Sequence, residues 1–195
     1  MKQLASLLLA LMMSLCCLLP AVAETSAAGE APAAFPFTLV EFQAWHNTLI
    51  TKAGLDGAPA WTVSGDGLTA VADAGELGRF TATMNEAGLV TGLSIECTMT
   101  AETMQTGAYY FGGSISLVIV AVMAAADPAS LSDAVAFAEL EKGVAELISA
   151  LFARIGEVAA GRVSESGVVA GRHVTVYAAC DPHSMALTLG FTCTP

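Results

Sequence analysis

The chain has 195 residues, and its 18 acidic residues outnumber the 7 basic ones, which gives a formal net charge of −11. This balance argues against nucleic acid or an anionic membrane surface as a partner, because both attract clusters of Lys and Arg that this sequence lacks. With 55% hydrophobic residues, the chain is long enough to form one globular domain with a sizeable core.

The first 23 residues have the three parts of a cleaved secretory signal. Lys2 precedes an uncharged run over residues 4–19, which is followed by Pro20 and the small-residue site Ala-Val-Ala at residues 21–23. We therefore expect residues 1–23 to be a signal peptide and the mature protein to be periplasmic or extracellular. Cleavage leaves 6 basic and 18 acidic residues, a net charge of −12.

A lipoprotein signal is the alternative, since Cys16 or Cys17 could carry a lipid. Bulky Leu15 precedes this pair and no small residue separates the two, which favours ordinary cleavage. The next segment, residues 24–35, is rich in small and polar residues, and we expect a disordered lead-in. Residues 36–195 are then expected to form a single domain.

The first helix is marked at both ends. Thr38 and Glu41 form a capping box, and Gly54 can terminate the helix in the left-handed conformation. His46 lies beside the apolar stripe of this helix, so we interpret it as a histidine at the edge of the core rather than a ligand or base. The stripe consists of Leu39, Phe42, Trp45, Leu49 and Ala53.

Residues 60–100 alternate between apolar and polar residues, with Gly-rich breaks, which predicts a meander of short antiparallel strands. The best-defined hairpin joins residues 78–84 to residues 89–99. Pairing Met84 with Leu89 places the apolar residues of both strands on one face. The other face then meets water, so a layer of helices is expected on the apolar side.

Two helical segments follow the meander. Residues 108–126 carry no charge and are long enough to span a bilayer, but acidic rather than basic residues come after them. We expect a buried core helix, and a membrane-embedded subunit through residues 108–126 stays open as an alternative. The next helix has Ser130 or Ser132 as its N-cap and repeats apolar residues every three to four positions as far as Val158.

The last two segments, residues 172–180 and 185–194, alternate as two strands of a hairpin. Pairing Cys180 with Met185 places both on the core side. Residues 181–184 then form a turn, and the Asp-Pro pair at its start suits a type I geometry.

The candidate site residues are few, and their spacing supports a site only weakly. Asp181 and His183 are predicted in the turn and His173 near the start of a strand; a hydrolase-type or metal-dependent enzyme would use these three. The histidines, including His46, do not have the spacing of a zinc motif, and no phosphate-binding loop or nucleophile elbow is present. No cofactor or metal is predicted.

Three cysteines remain after signal cleavage. The predicted hairpin register separates Cys180 from Cys193 by about 25 Å, which is too far for a disulfide. We predict a Cys97–Cys193 bridge, because the expected topology places these two at the same end of the sheet in an oxidising compartment. A Cys97–Cys180 bridge or buried thiols stay open as alternatives.

These patterns predict a two-layer α+β fold, an antiparallel sheet of five or six strands with three helices packed on one face. They favour an exported, acidic protein that acts as a non-catalytic binding or interaction domain for a protein or small molecule of unknown identity. Association with a membrane is not expected after signal removal. The enzyme that would use His173, His183 and Asp181 is the main alternative.

Overall fold

The computed structural model describes residues 33–52, 60–73, 75, 78–100 and 116–195. The predicted signal peptide and most of the predicted lead-in lie outside these residues. Phe35, the last residue of the predicted lead-in, is only 1% exposed, and its N–H donates to the carbonyl of Val90 at 2.7 Å. The ordered domain therefore begins before position 36.

Three helices are present in the described chain: α1 Leu39–Lys52, α2 over residues 116–126, and α3 Ala134–Ala153. The capping box of α1 is confirmed, since the Thr38 N–H donates to Glu41 Oε2 at 2.8 Å and the Glu41 N–H donates to Thr38 Oγ1 at 3.4 Å. The predicted end of α1 at Gly54 lies outside the described residues.

The N-cap of α3 is Asp133, and the prediction of Ser130 or Ser132 was wrong. Asp133 Oδ1 accepts from the Val135 N–H at 2.9 Å. The two serines belong to or directly follow a 3-10 turn, Pro128–Leu131, so the chain is already turning before α3 begins.

The segment predicted to be helical over residues 108–126 is described only from residue 116. Within α2, residues 121–126 are each at most 5% exposed, as expected for a core helix. In the part of the chain that the structure describes, no helix is both long and apolar enough to cross a membrane.

Within the described ranges, seven strands form one antiparallel sheet in the order β1-β2-β3-β4-β7-β6-β5. The α+β class with a single antiparallel sheet and three helices is thus confirmed, and the predicted five or six strands were too few. The strands are β1 Trp61–Val63, β2 Thr69–Asp73, β3 Arg79–Met84, β4 Val90–Met99, β5 Val163–Val169, β6 Arg172–Cys180 and β7 Leu187–Thr194.

The strand β5 lacks an alternating apolar pattern because two of its core-side positions are Glu165 and Gly167. Glu165 accepts a hydrogen bond from Arg154 Nη1 at 2.6 Å at the edge of the sheet. Gly167 lies under α3, where an added Cβ would come within 3.2 Å of Leu147 Cδ2. At these two positions β5 therefore has a charged residue and a glycine, where the alternating pattern of a strand requires apolar residues.

Both predicted hairpins have the correct faces and a register shifted by two residues. Met84 pairs with Val90 next to a β-bulge, which moves Phe80 opposite Ile95. Cys180 pairs with Leu187 rather than Met185. Since side chains alternate with a period of two, a shift of two leaves residues on their predicted faces. At the bulge the shift is one, and Val90, predicted on the polar face, lies opposite Met84 and is 0% exposed.

One row of core residues crosses the sheet, and the helices cover this face. The row crosses six of the seven strands through cross-strand pairs and reaches Glu165 on the edge strand β5: Trp61, Ala72, Phe80, Ile95, Phe191 and Val176. The ring of His46 from α1 lies 5.2 Å from the ring of Phe80, and α3 covers the opposite end at Gly167. The other face of the sheet, called the open face below, is turned away from these helices.

Candidate binding face of the sheet

Asp181 and His183 lie in an exposed turn between β6 and β7. Asp181 Oδ2 accepts from the Ser184 hydroxyl at 2.6 Å and its Oδ1 accepts from the His183 N–H at 2.9 Å. These two hydrogen bonds lower the pKa of Asp181, the Ser184 bond having the larger effect. The Asp181 carboxylate therefore stabilises the turn through these two hydrogen bonds, as is expected of an aspartate in a turn.

His173 lies near the start of β6, exposed and opposite Thr194. Asp181 directly follows the other end of this strand, about 26 Å away at the rise of an extended chain. The structure therefore brings His183 close to Asp181 but places His173 far from both. Within the described residues, no three His, Cys, Asp or Glu side chains are close enough together to hold a metal ion.

His46 lies inside the core, and the prediction of a position at its edge was wrong. The side chain is 0% exposed, and its ring stacks on Phe42 with centroids 5.5 Å apart. Neither ring nitrogen has a hydrogen-bond partner among the residues that the structure describes. Burial penalises the charged form and lowers the pKa of His46 to about 4, so the ring is a neutral part of an aromatic cluster at neutral pH.

The register does not allow the predicted Cys97–Cys193 bridge. Cys97 pairs with Leu189 and Cys193 pairs with Leu93, so the two cysteines lie four residues apart along neighbouring strands, about 13 Å. A disulfide requires Cα atoms within about 7 Å. The separation of Cys180 from Cys193 is confirmed, because Cys180 lies opposite Leu187, six residues from Cys193.

The Cys97–Cys180 alternative is also excluded by the sheet order. Cys97 and Ala178 both pair with Leu189, from opposite sides of β7, so Cys97 and Cys180 lie two strands apart. Burial raises the pKa of the Cys97 thiol to about 11 and that of Cys193 to about 12. Such thiols are poor nucleophiles at neutral pH.

The open face carries a continuous row of small side chains, most of them with hydroxyl groups. We call this set the hydroxyl row; six of its seven members are Ser or Thr, and each is exposed or half-buried. Because directly paired residues point to the same side of a sheet, the row runs straight across all seven strands. In spatial order it is Thr62, Val71, Thr81, Ser94, Thr192, Thr175 and Ser166.

The rows on either side of the hydroxyl row have different characters. One begins with the small residues Thr69, Thr83 and Gly92 and continues over β7, β6 and β5 through Thr194 and His173 to the exposed Val168. The other contains Asp73 next to Arg79 and Arg79 next to Glu96. In the described strands, these three are the carboxylate and guanidinium side chains of the open face, and all lie in this one charged row.

The charged row ends in a cluster that the sequence pattern did not predict. The Tyr177 hydroxyl donates to Glu96 Oε1 across Gly190, and the Arg162 guanidinium lies 3.6 Å above the Tyr177 ring. An added Cβ on Gly190 would overlap that ring. Burial, followed by the hydrogen bond to Glu96, raises the pKa of Tyr177, so the phenol stays protonated.

Gly190 is the one sequence signal that could have revealed this cluster. It interrupts a strand pattern otherwise built from Thr, Leu and Phe, and a glycine inside a strand often marks the close approach of another group. Tyr177 is therefore only 4% exposed although it lies on the open face.

Among the described residues, an apolar cavity and a groove lie on the helical side of the sheet. An apolar cavity of about 40 Å³ lies between the sheet at Ile95 and the helices at Ile119 and Leu151; it has room for about three water molecules. A groove of about 430 Å³ separates α2 from α3 and is lined partly by Leu117 and Phe137. Neither cavity is lined by His46, His173, His183 or Asp181.

Comparison with family models, curated proteins and solved structures found no match to this chain. The fold and the site define the protein as an α+β domain with a helix-covered antiparallel sheet. The open face of this sheet carries the hydroxyl row.

Proposed function

We propose that this chain is an exported, non-catalytic binding domain and that the open face of its sheet is the binding surface. The observation that carries this proposal is the hydroxyl row, six hydroxyl side chains in register across seven strands with no charged residue among them. The signal-like pattern of residues 1–23 supports export.

The hydroxyl row stands on a rigid support. Its central members, Ser94 and Thr192, lie on the paired strands β4 and β7, with the buried residues Ile95 and Phe191 next to them in sequence. Threonine side chains are stiff about χ1 because they are branched at Cβ. Binding to such a surface costs little conformational entropy, which favours recognition over a large, shallow area.

The distribution of charge also supports the open face as the binding surface. Solvent-facing sheet surfaces usually gain solubility from charged side chains, and this chain carries a large excess of acidic residues. In the described strands, the carboxylate and guanidinium groups of the open face lie in one row, in which Arg79 is the neighbour of both Asp73 and Glu96. The remaining area is free of the desolvation cost that buried charges would impose on a partner.

The proposal is tested by binding to washed cell-envelope material from the source organism. Thr81→Lys with Thr192→Lys places two long charged side chains on the hydroxyl row. The matched control, Thr48→Lys with Ser149→Lys, adds the same charge to exposed positions of α1 and α3. We expect the open-face variant to lose at least tenfold in affinity and the control variant to bind like the unmodified protein.

Two further measurements complete this test. Equal thermal unfolding midpoints for both variants would show that the sheet is intact. Loss of binding in the control variant, or unchanged binding in the open-face variant, would contradict the proposal. Export is tested separately by the N-terminal sequence of the mature protein, which we expect to start at Glu24.

A further inference from the structure

The helix α1 is attached to the sheet along a single stripe, and His46 lies in the middle of that stripe. The four buried side chains of this helix recur every three or four residues: Leu39, Phe42, His46 and Ile50. The remaining surface of α1 is exposed or half-buried. A charge on His46 would therefore fall at the centre of the contact that holds α1 in place.

The docked position provides no partner for a protonated His46. Its ring lies 5.5 Å from the ring of Phe42 and 5.2 Å from that of Phe80. Among the described residues, neither ring nitrogen has a hydrogen-bond partner. An imidazolium has two N–H donors, and burying it without acceptors is strongly unfavourable. Docking of α1 therefore opposes protonation, and protonation opposes docking.

On the described elements around this ring, the charged side chains point away from it. Arg79 of β3 and Asp73 of β2 lie on the open face, and β1 has no ionisable residue. Glu41 and Lys52 are exposed near the two ends of α1. Burial alone is accordingly the cause that lowers the pKa of His46 to about 4.

The attachment of α3 at the other end of the sheet has no group that gains a buried charge in acid. The buried residues of α3 are Leu140, Val144 and Leu151, and its charged residues are exposed. This helix contacts β5 and β6, whereas the ring of His46 contacts β3. In the described part of the chain, the buried polar side chains are those of His46 and Ser130, and a serine gains no charge on acidification.

The segment that precedes α1 is anchored independently of His46. The Phe35 N–H donates to the Val90 carbonyl at 2.7 Å, and the Val90 N–H donates to the Phe37 carbonyl at 3.1 Å. These main-chain bonds involve no ionisable group. The helix can therefore leave the sheet from position 38 onwards while the segment before it stays in place.

We propose that protonation of His46 releases α1 from the sheet as a unit, while the rest of the domain stays folded. Elements attached by few buried contacts open before the whole domain unfolds. Release uncovers the aromatic surface formed by Phe42, Trp61 and Phe80. This acid-released helix lies on the covered side of the sheet, so the inference stands independently of the proposed binding face.

The pH range of release follows from the two states of His46. Its pKa is about 4 in the docked state and returns to the ordinary 6.5 when the ring is exposed. The ratio of released to docked molecules is therefore nearly constant above pH 6.5 and rises as the pH falls towards 4. Between pH 7 and pH 4.5 this rise is roughly fiftyfold.

The test is hydrogen exchange of the unmodified full chain at pH 7 and pH 4.5, read by mass spectrometry for peptides of α1 and α3. Protection factors remove the intrinsic pH dependence of exchange. We expect the protection of α1 to fall roughly fiftyfold between the two pH values, and to lie at least tenfold below that of α3 at pH 4.5. Equal protection of the two helices at pH 4.5 would overturn the proposal, because α1 would then open only with the whole domain.

The matched control is His46→Phe, which keeps an aromatic ring and removes the titrating group. We expect the protection of α1 in this variant to change less than about threefold between the two pH values. A fall as large as in the unmodified protein would show that another group causes the release, and the proposal would be wrong.

The two tryptophans of the chain provide a second readout that needs no variant. Trp45 contacts Phe37 with ring centroids 5.4 Å apart, and Trp61 contacts Phe42 at 5.9 Å, so both report the docking of α1. During acid titration we expect the tryptophan emission to shift to longer wavelength at a higher pH than the loss of far-ultraviolet ellipticity. Coincident midpoints for the two signals would contradict a separate release of α1.

Discussion

The imidazole of His46 lies parallel to the ring of Phe42, with 8° between the planes, and an edge-on contact with Phe80 closes the other side. Within the described part of the chain, both nitrogens are buried without a hydrogen-bond partner, and so is Nε1 of Trp61 in the same cluster. A charged imidazolium would be buried here without a partner, so the folded protein favours the neutral ring. This preference couples the docking of α1 on the sheet to pH.

Acidification is expected to destabilise the fold through His46. Its pKa is about 4 in the folded protein, against an ordinary value of 6.5, so the unfolded chain binds the proton more readily between these values. Stability attributable to this group is unchanged above pH 6.5, falls as the pH drops towards 4, and has decreased by about 3 kcal/mol there.

The measurement is urea unfolding of the unmodified protein and of His46→Leu at pH 7 and pH 4.5. Carboxylates titrate in both proteins, so the difference between the two isolates the histidine. We expect a smaller loss of stability on acidification in His46→Leu. An identical loss in both proteins would exclude His46 as the cause.

Gly190 is required by the ring of Tyr177 that lies over it. We expect Gly190→Ala to cost about 1–3 kcal/mol, as overpacking does, because its Cβ would overlap the ring. In the Tyr177→Ala background the ring is absent, and the same change should be neutral or stabilising, since alanine restricts the unfolded chain. A double-mutant cycle by chemical denaturation measures this reversal. Equal costs in both backgrounds would contradict the contact.

The Tyr177 phenol should titrate closer to its ordinary value when Glu96 is neutral. Glu96→Gln removes the negative acceptor that helps to hold the phenolic proton, while burial stays the same. We therefore expect the pKa of Tyr177 to fall in this variant, measured by ultraviolet absorbance of the phenolate. A rise or no change would mean that the carboxylate does not stabilise the protonated phenol.

Peptide mapping without reduction should find no Cys97–Cys193 linkage. The register places Cys97 opposite Leu189, too far from Cys193 for a bridge. We also expect the buried Cys193 to react with a thiol reagent much more slowly in the native protein than after unfolding. A linked peptide containing both cysteines would require a different strand register.

The face of each strand could be predicted from the sequence, whereas the register could not. Phe80 and Ile95 were placed on the apolar side because alternation has a period of two. Their partners depend on the loops, and Met185 shows why: it takes a left-handed conformation, and its N–H donates to the Asp181 carbonyl. A methionine gives no signal for such a turn, so the loop was predicted two residues too short.

The strand β5 explains the wrong disulfide prediction. Its hairpin with β6 turns at Ala170 and Gly171, which have φ values of 49° and 74° in the left-handed region, where Asn-Gly is the usual signal. Without β5, the directions of β6 and β7 are inverted, and Cys193 is placed at the same end of the sheet as Cys97. Because β5 was not predicted, the predicted directions of β6 and β7 were wrong, and so was the cysteine pairing that depended on them.

The hydroxyl row could not be predicted for the same reason. Thr62 and Ser166 are about a hundred residues apart in the chain, and only the strand order and register place them in one row. His46 was predicted at the edge of the apolar stripe of α1 because its side chain is polar. The buried face of α1 is rotated by one position and includes His46. The aromatic residues Phe42, Trp61 and Phe80 instead form a cage that accepts its neutral ring.

The most direct test of the binding face is backbone amide mapping by NMR during titration with a solubilised extract of the cell envelope of the source organism. We predict that the largest shift changes occur at Thr81, Ser94, Thr192 and Thr175, with little change along α3. Shift changes concentrated instead at Leu117 and Phe137, in the groove between α2 and α3, would contradict the proposed binding face.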